Sequence, residues 1–161
     1  MRRILLDTCI VLYLILERDR LNRDVEALLS DYDNQLCVSM ESVKELIVAY
    51  RRKGIGRKIW KKEEDIIQMI KDDLCIQILP IREEHILTYA RLTINEAQGH
   101  NDPSDHIIIA HAITEHIPLV SSDHKFDFYI KQGGGSIWKV QAFQYGTFCR
   151  RHKQLICTYL H

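Results

Sequence analysis

The chain has 161 residues, 46% hydrophobic and 27% charged, with 22 Lys+Arg against 22 Asp+Glu and a formal net charge of zero. This is the composition of a soluble globular protein, and the length suits one domain with a sizeable core. Global attraction to nucleic acid is excluded, so any such binding must come from a local patch.

Five cysteines (Cys9, Cys37, Cys75, Cys149, Cys157) form no CxxC pair and no zinc-ligand spacing, and the odd count argues for a reducing compartment. The opening "MRRILLDTCIVLYLIL" imitates a signal peptide, yet Asp7 interrupts it and no small-residue cleavage site follows. The unbroken apolar run Cys9–Leu16 falls well short of the ~20 residues that span a bilayer. The expectation is a cytoplasmic protein with no membrane association.

In chain order, "RILL" reads as a short strand ending at Asp7, and "TCIVLYLILER" as a helix. A second helix, "NRDVEALLSDY", is opened by Asn22. "QLCV" is a strand, after which Ser39 can cap a helix reaching about Lys53. Beyond Gly54 and Gly56, "RKIWKKEEDIIQMIKDD" reads as an amphipathic helix turning Ile59, Ile66, Ile67 and Ile70 toward a core. "CIQIL" is a strand closed by Pro80, and "REEHILTYARLTINEA" a helix ending near Gly99. "NDPSDHIIIA" starts the next helix, which runs to about His116. "IPLVSS" is a strand ending at Asp123, and "SIWKV" another after the Gly133–Gly135 loop. Short apolar strands separated by helices predict an α/β/α sandwich, Rossmann-like, with a mainly parallel sheet covered on both faces. Ligand sites in such sheets lie beyond the carboxyl ends of the strands.

That rule singles out Asp7 and Asp123, each placed directly after an apolar strand. Either could be a helix cap or a turn residue, but both fall on the same edge of the sheet. In "NDPSD", Asp102 before Pro103 is a good N-cap, which puts Asp105 at the third helical position. Asp105 then aligns with Ile109, Ala112 and His116, on a stripe that faces the sheet together with His106, Ala110, Ile113 and Ile117. An inward carboxylate needs a partner. A divalent cation shared with Asp7 and Asp123 would serve, as would a bond back to the cap or a lysine. In "SMESVKELIVAYRR", dipole complementation explains Glu41. Glu45 lies opposite the apolar stripe Val43, Leu46, Ile47 and Tyr50, so periodicity alone makes it a solvated residue.

The segments "LLDT", "VSMESVKEL", "NDPSDHIIIAHA" and "LVSSD", in this order, resemble the hhDT, S-x-x-S-x-x-E, DP-x-D-x-x-h-x-A and hV[TS]-x-D motifs of the PIN-domain family. The likeness covers roughly residues 1–140, with 141–161 as an extension of unknown structure. The compact form is similar to the VapC-type ribonuclease toxins of bacterial toxin–antitoxin pairs. The resemblance implies that Asp7, Glu45, Asp105 and Asp123 are the catalytic, metal-binding acids, with Asp102 as the cap. Ser121 and Thr8 would support them through their hydroxyls. His106 stands where the family commonly has arginine, and Ser104 where it usually has an aromatic residue.

The chemistry follows from the ligand type. Clustered carboxylates suit hard cations such as Mg²⁺ or Mn²⁺, which orient a phosphate and lower the pKa of a bound water. The resemblance then implies metal-dependent endoribonuclease activity leaving a 5′-phosphate and a 3′-hydroxyl, an antitoxin covering the acidic cleft, and a homodimer. The stripe Val43, Leu46, Ile47 and Tyr50 is a candidate contact surface. "RRKGIGRKIWKK" packs seven Lys or Arg into twelve residues, and Arg51, Arg52, Lys53, Arg57 and Lys58 are candidate phosphate contacts. Trp60 among them would stack on a base of single-stranded or looped RNA. A second small cluster, Arg150, Arg151 and Lys153, lies in the tail.

Two other strand-end aspartate chemistries fit poorly. A haloacid-dehalogenase-type phosphatase needs an acid two residues after the first, where this chain has Cys9. A response-regulator receiver needs a paired acid, a phosphorylated aspartate and a lysine in an order not visible here. The alternative from another class is a non-catalytic RNA- or protein-binding module with a vestigial acidic site.

Overall fold

In the structure, a computed structural model, residues 1–21, 23–132 and 137–139 are described. Asn22, the Gly133–Gly135 loop and the 141–161 extension with its basic cluster lie outside them.

Strands β1 (Arg2–Leu6), β2 (Asn34–Ser39), β3 (Gln77–Leu79), β4 (Leu119–Ser121) and β5 (Ile137–Lys139) form one sheet in the order β3-β2-β1-β4-β5. Every pair in it is parallel. Connections run outward from β1 to β3, then return to its other side at β4, so the switch point lies between β1 and β4. Backbone bonds across that seam include Leu5 N–H to the Pro118 carbonyl (2.8 Å) and Asp7 N–H to the Val120 carbonyl (3.0 Å).

Successive strand residues serve opposite faces, as a two-residue period requires. Ile4, Leu6, Val38 and Val120 enter one core with Ile10 and Val11 of α1 (Thr8–Leu16), Val25 of α2 (Arg23–Ser30), and Val43 and Leu46 of α3 (Met40–Lys53). The same core takes in Ile66 of α4 (Glu64–Gln68) and Ile70 of the π turn Met69–Asp73 that continues it. Leu5, Cys37, Leu79 and Leu119 enter the other, with Ile108, Ile109 and Ala112 of α6 (Pro103–Glu115) and with Phe126 and Tyr129. Helix α5 (Glu83–Arg91) packs beside α6, where the Thr114 hydroxyl donates to that of Thr88 (2.7 Å).

Three sequence expectations need correction. The amphipathic helix over 57–73 is instead a series of turns followed by α4 and the π turn, with the Asp65 side chain accepting from Lys61 N–H (2.8 Å) and Lys62 N–H (3.1 Å) just before α4 begins. Helical phase does not carry across that break. Ile66 and Ile70 are buried, but Ile59 (44%) and Ile67 (37%) are exposed. Second, α5 stops at Arg91 instead of reaching Gly99. Downstream amides bond elsewhere, Thr93 N–H to the Gln132 side chain (2.9 Å) and Asn95 N–H to the Tyr129 hydroxyl (3.1 Å). Third, Val43 and Leu46 are buried in the first core with Ile47 and Tyr50 packed against them. Val43 and Leu46 are therefore core residues, while Ile47 and Tyr50 are half-buried.

Candidate active site

Parallel strands end together, so the residues following β1 and β4 share one edge. Asp7 caps α1 and is fully buried: Oδ1 accepts from Thr8 N–H (2.7 Å) and Oδ2 from the Ser121 hydroxyl (2.8 Å). Ser121 Oγ in turn accepts from Asp123 N–H (3.1 Å), so one hydroxyl ties the two strand-end acids together. Asp123 is half-buried, and its Oδ1 accepts from Lys125 N–H (2.9 Å).

Helix α3 delivers Glu45. Ser39 caps this helix by accepting from Glu41 N–H (3.2 Å), which sets its start at the sheet edge. The Glu45 side chain accepts from the Thr8 hydroxyl (2.5 Å) and the residue is 4% exposed. Periodicity made it solvated, but α3 buries Ser42, Glu45 and Ala49 as well as the apolar stripe. Burial pushes the Glu45 carboxyl well above the usual carboxylate range, and the nearby charges of Asp105, Asp102 and Asp7 push it further, against the Thr8 bond.

Helix α6 delivers Asp105. Asp102 caps it by accepting from Ser104 N–H (3.0 Å), with Pro103 in the first turn. Asp105 is buried with Ile109 and Ala112 on the inward side, and its Oδ2 lies 3.0 Å from His100 Nε2. Ligand atoms of His100, Asp105 and Asp123 all lie within 4.8 Å of one another. The structure therefore brings the four acids to one edge, Asp7 linked to Asp123 by Ser121, to Glu45 through Thr8, and Glu45 to Asp105 by mutual repulsion. A cluster of hard oxygen donors in which burial, and then the neighbouring acids, raise the Glu45 pKa fits a hard divalent cation, whose charge would offset both.

Reading the sequence missed several neighbours. His100 has no signal beyond standing just before "NDPSD", and Tyr129, whose hydroxyl reaches it, comes from a turn 29 residues away. Ser104, in the place of an aromatic, donates to Glu41 (2.6 Å), which also ion-pairs with Lys44. That contact joins the starts of α3 and α6. His106, in the place of arginine, is buried and lies 3.0 Å from the His100 carbonyl.

The basic segment departs from its expected role at one residue. Trp60 is 1% exposed, in the first core, with its indole N–H on Met69 Sδ (3.3 Å) and its ring edge-on to Tyr50. A ring packed there cannot stack on a base. Arg51 pairs with Glu63 (2.8 Å) on the surface, and Arg52, Arg57 and Lys58 are exposed. Helix rise places Arg52 about 10 Å along α3 from Glu45.

A second grouping, His85, His111 and Glu115, also brings its ligand atoms within 4.8 Å. Here His85 Nδ1 accepts from Arg82 N–H (2.9 Å), so its proton sits on Nε2 and faces Glu115 Oε1 (3.2 Å). Glu115 also pairs with Arg3 and Arg82, and the two imidazoles stack with centroids 4.0 Å apart. This is a hydrogen-bonded, stacked pair and not an open cation site.

A parallel sheet with acids gathered at its switch point defines the class, a doubly wound α/β domain with carboxylates at its sheet edge. Residues 4–129 match the PIN domain, and the chain belongs to that family. No curated protein matches in sequence. Among solved structures, the chain is similar to VapBC2 from Rickettsia felis bound to a promoter DNA fragment (18% identity, TM-score 0.64, 86% of this chain and 99% of that one). It is also similar to VapBC-5 of Mycobacterium tuberculosis, a member of the VapBC family of toxin–antitoxin systems (21%, 0.59, 87% and 100%). FitAcB from Neisseria gonorrhoeae is a further match (20%, 0.59, 84% and 96%). Likeness at these identities establishes the fold. Among the described residues no helix is long and apolar enough to cross a membrane.

Proposed function

We propose that the protein is a Mg²⁺- or Mn²⁺-dependent endoribonuclease and the toxin of a toxin–antitoxin pair. The observation that carries this reading is the meeting of buried Asp7, Glu45 and Asp105 with half-buried Asp123 at the sheet's switch point. All four offer carboxylate oxygens to the cation, which when bound would polarise the scissile phosphate and lower the pKa of an attacking water.

The chain's own residues hold the geometry. The Ser121 hydroxyl and Thr8 N–H fix both oxygens of Asp7, and the Thr8 hydroxyl fixes one oxygen of Glu45. The Asp102 cap sets where α6 begins and so where Asp105 points. No covalent nucleophile is needed, and the buried thiols of Cys9 and Cys37 serve packing. Arg51, Arg52, Lys53, Arg57 and Lys58 bind RNA phosphates flanking the cleavage point, with Arg52 about 10 Å along α3 from Glu45. The partner follows from the kind of complex in which similar folds have been solved: a cognate antitoxin peptide over the acidic cleft, with a homodimer acting in the cytoplasm.

The test is cleavage of varied RNAs with Mn²⁺ or Mg²⁺ by the parent and by Asp7→Asn. The parent should cut and the variant should not. Equal degradation by both would show that the site is wrong, and no degradation by either would favour a binding module without catalysis.

A further inference from the structure

His100 is buried beside Asp105 and has a hydrogen-bond partner at each ring nitrogen. His106 Nε2 faces the His100 carbonyl (3.0 Å), which can only accept, so that nitrogen carries hydrogen. The Tyr129 oxygen accepts from Asn95 N–H (3.1 Å) and sits 3.2 Å from the protonated His106 nitrogen. We assign the Tyr129 hydrogen to His100 Nδ1 (3.1 Å). With Nδ1 accepting, the neutral imidazole carries its proton on Nε2 and donates it to Asp105 Oδ2 (3.0 Å).

The packing fixes the ring as firmly as the bonds do. His106 and Tyr129 meet it edge-on, with centroids at 4.9 and 5.5 Å, and Phe126 lies at 5.5 Å. Gly99 turns the chain into position with a φ of 61°.

We infer that His100 is a positioning residue: it holds Asp105 in the orientation that receives the divalent cation, and Tyr129 fixes the tautomer that lets it do so. The inference rests on the proposed metal site only in treating Asp105 as a ligand. In this role His100 acts through its Nε2 contact with Asp105 Oδ2. His106, where the family motif commonly has arginine, clamps the His100 backbone and so belongs to the same device.

The experiment is calorimetric titration of the full chain with Mn²⁺, alongside circular dichroism and thermal melts. Asp105→Asn should lose at least tenfold in affinity. His100→Leu, which removes the donor, should lose roughly 10- to 100-fold, the range typical for groups that orient metal ligands. His100→Gln can place an amide N–H where Nε2–H stood and should stay within about threefold of the parent. Tyr129→Phe keeps the ring packing, removes only the hydroxyl and should weaken binding several-fold; it decides the matter if His100→Leu does not fold. Parental affinity in both His100→Leu and Tyr129→Phe would overturn the inference, as would equal losses in His100→Gln and His100→Leu. Parental affinity in Asp105→Asn would instead overturn the metal-site reading, and the His100 role with it.

Discussion

Replacing His111 with phenylalanine should make the protein markedly less sensitive to mild acid. His111 is fully buried on α6; its Nδ1 meets the Ser39 hydroxyl (3.1 Å), and Nε2 has no hydrogen-bond partner among the described residues. Burial is the main cause lowering its pKa from 6.5 to about 4. His85 on α5, Arg82 before it and Arg3 on β1 lower it further, while Glu115 on α6 opposes them. Between pH 6.5 and 4 the unfolded chain takes a proton that the folded ring refuses. The unfolded state then binds more protons, so stability is fully present above pH 6.5 and falls as the pH drops through that window. With those two pKa values the loss due to His111 reaches roughly 2 kcal/mol at pH 5. The assay is denaturant unfolding of the parent and His111→Phe at pH 7 and pH 5. Losing the Ser39 bond affects the variant alike at both pH values, so the comparison isolates the titration. The parent should lose roughly 2 kcal/mol more than the variant on acidification; equal losses would refute the argument.

Three further outcomes are expected. Asp105→Asn should abolish RNA cleavage, whereas Asp102→Asn, still a capable N-cap, should preserve most of it at a stability cost under about 0.5 kcal/mol; cleavage kinetics and melting of both variants check this. Replacing Arg51, Arg52 and Lys53 by alanine should reduce the slope of log affinity against log salt by about 2 for single-stranded RNA, and an unchanged slope in filter-binding titrations would remove that segment from the interface. Gly56→Ala should destabilise by roughly 2–4 kcal/mol, because a Cβ there would sit 2.3 Å from the Trp60 ring on a backbone with φ of 77°. Chemical unfolding measures that loss.

The sheet was legible because short apolar strands between helices admit few arrangements, and the caps Ser39 and Asp102 stand where local chemistry puts them. What pattern reading could not supply came from contacts between distant segments. The stripe of α3 explains Val43 and Leu46, but Glu45 is buried because α3 also faces the start of α6, as Ser104's bond to Glu41 shows. Trp60 sits in a basic run whose composition signals a wet surface. Two positive-φ glycines fold its ring inward, and that depends on backbone geometry rather than on residue type. Asp105 follows His100 by five positions, a spacing that means little until Tyr129 arrives from beyond β4 to orient the ring.

The seam between β1 and β4 has a consequence for synthesis. Asp7 emerges first from the ribosome, yet its amide partner Val120 and its hydroxyl partner Ser121 are made more than a hundred residues later. Asp123 comes later still, after the whole of α6. No nascent chain or truncated fragment that stops short of β4 can hold the four carboxylates together. Interrupted translation therefore yields products that lack the assembled cluster of acids, which forms only with the last central strand.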